Sequence, residues 1–169
     1  MFIPALLAIF LISRAIDLFI SFHAPYFVPY SGFFPYKEIL PFTNLPPWLY
    51  SFANFDGLHY IIIASQGYQQ FEEAFFPLYP ILINVTSNIT GKNYLLAGLL
   101  ISYASFLLGI HLFRKYSATL VPLTSLDSTK TPHPAHLAAA WWPIIFLLAF
   151  PTSFFFGAVY TESLFFVLA

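Results

Sequence analysis

Tyr94-Leu95-Leu96-Ala97-Gly98-Leu99-Leu100-Ile101-Ser102-Tyr103-Ala104-Ser105-Phe106-Leu107-Leu108-Gly109-Ile110-His111-Leu112-Phe113 is an unbroken stretch of twenty residues without a formal charge. As a helix it rises about 30 Å, the thickness of a bilayer's hydrocarbon core. The rest of the chain has the same character. It is 59% hydrophobic and 21% aromatic, with 8% charged residues and a mean hydropathy of +0.77, whereas soluble domains carry about 25% charged residues. The sequence reads as an integral membrane protein. A net charge of −1 leaves neither a basic surface for nucleic acid nor an acidic tail. Cysteine is absent, which excludes disulfides, thiolate metal sites and a cysteine nucleophile.

Working outward, the N-terminal run Phe2–Phe22 is expected to be a first span. It has no basic segment before Phe2, and Arg14 and Asp17 interrupt it, so it does not read as a cleaved signal peptide. His23 to Tyr50 carries Pro25, Pro29, Pro35, Pro41, Pro46 and Pro47. Proline at that density forbids a continuous helix and predicts a long loop with short helical pieces. Its aromatics, among them Tyr26, Tyr30, Trp48 and Tyr50, suit a membrane–water interface. Leu49–Gln66 lacks proline and is expected to form one interfacial helix closed by Gly67.

Phe75–Ile89 is apolar but short, and is read as interfacial or re-entrant rather than as a crossing. Arg114–Pro134 is a polar loop, and Ala135–Phe150 and Phe154–Ala169 are two further apolar segments. Arg114, Lys115 and Lys130 place that loop on the cytoplasmic side by charge bias, which agrees with Phe75–Ile89 not crossing. The apolar run Leu164–Leu168 reaches Ala169 with no polar flank, as expected of an N-terminal piece of a longer protein. The expectation is one all-α domain, a multi-span transmembrane helical bundle: residues 1–22 the first span, 23–74 a long loop, 75–169 further spans.

Formal charges are so scarce that each needs a reason, because a charge near a bilayer is costly unless paired or used. Phe55-Asp56-Gly57-Leu58-His59-Tyr60 puts a carboxylate and an imidazole in an aromatic setting. On a helix, Asp56, His59, Tyr60 and Ile63 share one face. Asp56 then reads as a general base, with His59 orienting it or binding an anionic leaving group. The bland alternative is a helix cap at Asp56 and a headgroup-layer histidine. Arg14 and Asp17, three apart in the first span, form either a functional pair or an ion pair near the outer end of a tilted helix. If functional, Arg14 would hold a lipid phosphate. Glu162 is a lone acid in an apolar run, to be satisfied by Thr161 and Ser163, by Arg14 or by a substrate hydroxyl. Glu72 and Glu73 read more simply as solvated loop acids.

Other signals are weak. His133-x-x-His136 lies in a proline-flanked loop with no third ligand, so no metal is expected. Asn84-Val85-Thr86 and Asn88-Ile89-Thr90 match the glycosylation sequon, which matters only in a eukaryotic secretory compartment. No glycine-rich phosphate loop, serine elbow or nucleotide fingerprint occurs, so no nucleotide cofactor is expected.

The segment Phe55-Asp56-Gly57-Leu58-His59-Tyr60, followed by Ile63-Ala64-Ser65-Gln66-Gly67-Tyr68 and Ala74-Phe75-Phe76-Pro77, resembles the signature of the PIG-V family, the GPI mannosyltransferase 2 type enzymes and their prokaryotic relatives. Pro151-Thr152-Ser153-Phe154-Phe155 and Tyr160-Thr161-Glu162-Ser163-Leu164-Phe165 resemble that family's second recurrent block. Phe55 stands where the family has tryptophan. The resemblance implies a GT-C architecture whose first non-cytoplasmic loop carries the catalytic acid. It implies an inverting mannosyltransferase with Asp56 as the base that deprotonates the acceptor hydroxyl; His59 beside it, and Arg14, Tyr60 and Glu162 as groups for substrate or lipid phosphate, are candidates from the residues' own setting. The implied partners are a polyprenyl- or dolichyl-phosphate sugar donor, a glycan or glycolipid acceptor and membrane lipid. The implied location is the plasma membrane in a prokaryote or the endoplasmic reticulum membrane in a eukaryote. Two rival readings stay open. A transporter or lipid flippase would line a path with Arg14, Asp17 and Glu162, and a non-catalytic membrane-complex subunit would need none of these roles.

Overall fold

A computed structural model describes residues 3–28, 36–120 and 141–169. Within these residues every regular element is helical and there is no strand. Helix α1 spans Ile3–Phe27. A short α2, Tyr36–Ile39, runs into a 3₁₀ turn at Leu40–Thr43, and a second 3₁₀ segment follows at Pro47–Ala53. Then come α3 (Asp56–Gln66), α4 (Leu78–Ser87) and α5 (Tyr94–Leu120). After residue 141 the chain forms α6 (Trp142–Ala149), a 3₁₀ segment at Pro151–Gly157 and α7 (Glu162–Leu168). Lys130, His133 and His136 lie outside the described residues.

Two helices, α1 and α5, are long and apolar enough to cross a membrane. Both outrun their sequence limits. Helix α1 continues past Phe22 with Pro25 inside its last turn, where proline cannot donate the helical bond that the Ser21 carbonyl would ordinarily accept. Helix α5 carries on through Arg114 and Lys115 to Leu120. At ten residues α4 is too short to cross. The Pro151–Gly157 and Glu162–Leu168 segments meet at 87°, so the run expected as one span from Phe154 is folded at a corner. Among the described residues, α1 and α5 are the helices that reach crossing length singly.

The single interfacial helix expected over Leu49–Gln66 is broken in two. Phe55 takes φ 51°, ψ −120°, a positive φ that no L residue holds inside a helix. It ends the 3₁₀ segment and makes Asp56 the first residue of α3. The corner at 158–160 docks on this break: the Val159 N–H donates to the Phe52 carbonyl at 2.7 Å, and the Tyr160 hydroxyl donates to the Asn54 carbonyl at 2.9 Å.

Two buried clusters result. One gathers Leu40, Phe52, Leu58, Tyr60, Tyr79, Ile83, Leu95 and Val159 around α3, α4 and the first half of α5. The other gathers Leu6, Phe10, Phe106, Ile110 and Ile144 around the α1–α5 crossing. Lipid tails are as apolar as leucine, so close packing and internal hydrogen bonds, rather than escape from water, must hold helices together at membrane depth. Gly98 shows the first: a Cβ there would come within 2.8 Å of a Val159 methyl. Tyr79 shows the second. Its hydroxyl donates to the Gly98 carbonyl at 3.1 Å and shares a 2.7 Å bond with the Ser102 hydroxyl, tying α4 to α5. Tyr79→Phe takes this donor from the buried Gly98 carbonyl and this acceptor from the buried Ser102 hydroxyl, and is expected to cost about 1–3 kcal/mol. Thermal unfolding in detergent micelles measures it.

Candidate functional site

The site is built where the α3 N-terminus meets the 158–162 corner. Asp56 is exposed at the first position of α3, where a carboxylate is favoured by the helix dipole. It makes no ion pair with His59 among the described residues. The imidazole turns instead to Glu72, whose Oε1 is 3.2 Å from Nδ1. Glu72 is 5% exposed, so the expectation of a solvated loop acid is corrected for it; Glu73 is exposed. Sequence reasoning missed Glu72 because its neighbours Gln69, Gln70 and Phe71 are exposed and no periodicity marks a turn that folds back.

Glu162 is the first residue of α7 and stands near enough to Asp56 for the two carboxyls to influence each other. Neither Arg14 nor any other base is ion-paired with it among the described residues. Partial burial raises the Glu162 carboxyl, its own amide opposes that rise, and the Asp56 charge adds to it. The folded protein therefore keeps this proton at a pH where the unfolded chain, near 4.5, has released it. Stability must then fall as pH rises from about 4.5 through the raised value. Glu162→Gln is expected to remove that part of the fall, read by chemical denaturation across pH 4 to 8 in micelles.

Two phenols close the site. Tyr60 is buried, edge-on to Phe75 and Tyr79 at ring distances of 5.2 Å. Burial raises its hydroxyl's pKa and a hydrogen bond with Thr161 lowers it. The Tyr160 hydroxyl is pushed up to about 12, by burial first and then by the Asp56 and Glu162 carboxylates. Both phenols therefore stay protonated at neutral pH and are fixed hydrogen-bonding groups rather than bases. Tyr160 could be suspected from its place beside Glu162, but nothing in the sequence pairs it with Asn54.

Asn54 also opens onto a cavity of about 570 Å³ between the end of α1 and the 3₁₀ segments, lined by Phe22, Pro25, Tyr26, Trp48 and Tyr50 among others. It is apolar and reaches within two residues of Asp56. Ser21 anchors its floor, donating to the Trp48 carbonyl and sharing a 2.6 Å bond with Ser51.

Arg14 lies apart from all this. It sits seven residues before Ser21, about 10 Å further along α1, in the second cluster. Its Nη1 is 3.0 Å from Asp17 Oδ2, its guanidinium lies 5.0 Å over the Phe106 ring, and Gly157 packs so close that a Cβ would run into Nη1. Only 3% of Arg14 is exposed, which leaves little of it for a lipid phosphate. Arg14 and Asp17 line a separate cavity of about 370 Å³ with Ile145 and Leu148. Among the described residues no group of three or more acids and histidines is arranged to hold a metal.

Comparison with protein-family models, characterised proteins and solved structures returned no match.

Proposed function

We propose that this protein is a membrane glycosyltransferase that moves a sugar, mannose by the resemblance of its motifs, from a polyprenyl- or dolichyl-phosphate donor to a glycan or glycolipid hydroxyl. The observation that carries this reading is the meeting of Asp56, Glu162 and the Tyr60 and Tyr160 phenols beside an apolar cavity that opens at Asn54. A lipid-linked sugar needs just these two neighbours, a greasy channel for the chain and a polar mouth for the sugar.

In this scheme Asp56 takes the proton of the acceptor hydroxyl as its oxygen attacks the anomeric carbon. The bond from that carbon to the phosphate oxygen breaks, the polyprenyl phosphate departs with the electron pair, and the configuration inverts. Glu162 and the two phenols hold sugar hydroxyls. No nucleotide enters the scheme, in keeping with the absence of a nucleotide fingerprint. The active face would be the non-cytoplasmic one, in the plasma membrane of a prokaryote or the endoplasmic reticulum membrane of a eukaryote.

A transport path through Arg14, Asp17 and Glu162 has less support, because Arg14 and Asp17 line one cavity and Glu162 stands at another corner. The test is transfer of labelled mannose from polyprenyl-phosphate mannose by membranes containing the protein. Absence of transfer from any lipid-linked sugar overturns the reading.

A further inference from the structure

The loop from Gly67 to Pro77 buries one acid that the transfer chemistry above does not use. Glu72 follows Phe71, whose φ of +72° is a left-handed conformation that phenylalanine adopts only under constraint. The Glu72 N–H donates to the Gln69 carbonyl at 3.2 Å, and the Glu72 carbonyl accepts from Phe75 N–H at 3.0 Å. Its carboxylate is used at both oxygens: Oε2 accepts the Gln69 backbone N–H at 2.8 Å, and Oε1 meets His59 Nδ1 at 3.2 Å. The His59 ring also stacks on Phe75, with centroids 4.9 Å apart and planes 20° from parallel. The imidazole is thus gripped on one edge and one face.

An ionised carboxylate can only accept hydrogen bonds, so the nitrogen facing it carries the hydrogen. The neutral ring then presents a lone pair at Nε2, because the bond made at one nitrogen fixes the state of the other. Nε2 has no hydrogen bond among the described residues, and the His59 side chain is 34% exposed. Asp56 lies one helical turn earlier on the same face.

We propose that Glu72 is a positioning residue that holds His59 in its Nδ1–H tautomer, so that Nε2 accepts a hydrogen bond from a sugar hydroxyl beside Asp56. The identity of that hydroxyl rests on the transferase reading; the tautomer does not. Freed from Glu72, the ring would favour hydrogen on Nε2 and offer the substrate a donor in place of an acceptor.

The experiment uses the whole chain in detergent micelles with ¹⁵N in the histidine rings, above the ordinary histidine pKa of about 6.5. Long-range proton–nitrogen correlations report the tautomer, and His59→Gln assigns the signal by removing it. Wild type is expected to show Nδ1–H at His59, and Glu72→Ala to shift it towards Nε2–H. In parallel, Glu72→Ala and His59→Ala should each lower kcat/KM for mannose transfer about tenfold, as for one lost hydrogen bond. The double variant should be no worse than either single one, and Glu72→Gln, which keeps an acceptor oxygen, should retain the tautomer and most of the activity. An Nε2–H tautomer in wild type overturns the proposal whether or not any variant folds. Unchanged kcat/KM in Glu72→Ala overturns the positioning role. A wild type that transfers no sugar removes the transferase reading and the sugar hydroxyl with it, while the tautomer result still decides the Glu72–His59 arrangement.

Discussion

Asp56→Asn is expected to lower sugar transfer by roughly a hundredfold to ten-thousandfold, the range that a positioned general base contributes. The amide has nearly the shape of the carboxylate but cannot take the acceptor's proton. Asp56 is exposed at the start of α3, so losing its charge forfeits only the helix-dipole contribution of about 0.3–1 kcal/mol. The fold should therefore survive with an unfolding temperature close to wild type. That separation gives the experiment its force, since activity should collapse while stability holds. Measuring mannose transfer and thermal unfolding on the same preparation checks both. A variant that transfers at the wild-type rate would remove Asp56 from the chemistry.

Arg14→Ala is expected to have the largest effect on stability, about 3–5 kcal/mol, as when one partner of a buried pair is removed. The guanidinium is wedged between Asp17, the Phe106 ring and Gly157, so its loss opens a void and strands a carboxylate at membrane depth. Asp17 then either remains charged without a partner or takes up a proton, and both cost free energy. Replacing the pair together, as Arg14→Leu with Asp17→Leu, should recover most of the loss, because apolar side chains suit that environment. Unfolding of the single and double variants in micelles measures the difference. If Arg14→Ala is as stable as wild type, the pair does not hold α1 to the Pro151–Gly157 segment. Mannose transfer by the double variant asks a separate question. Arg14 lies about 10 Å along α1 from Ser21 in the apolar cavity, so transfer should persist if the pair is purely structural.

Much of the helical frame was legible in the sequence. The unbroken Tyr94–Phe113 run and the Phe2–Phe22 run could only be long apolar helices, and proline spacing marked the loop with its short helical pieces. The face shared by Asp56, His59 and Tyr60 followed from helical spacing alone. Three features were not legible. Phe55 breaks what should have been one helix, because a tertiary contact, Val159 N–H to the Phe52 carbonyl, outweighs local propensity. His59 pairs with Glu72, not Asp56, because the loop after Gly67 folds back on α3. Arg14 is buried in a separate cluster rather than lying beside Asp56 and Glu162, because which way a helix faces depends on the helices around it.

The sequence by itself determined that the chain holds two apolar helices long enough to cross a membrane, and it marked the few charges that demand a reason. Continuous apolarity and helical period are local properties, written within a single segment. Only the tertiary structure decided which charges meet. Asn54 and Tyr160, 106 residues apart, are joined by one hydrogen bond, and that contact carries Glu162 to Asp56. Such a meeting is set by how the 87° corner packs against α3 and α5, and packing between distant segments leaves no period in the chain to be read.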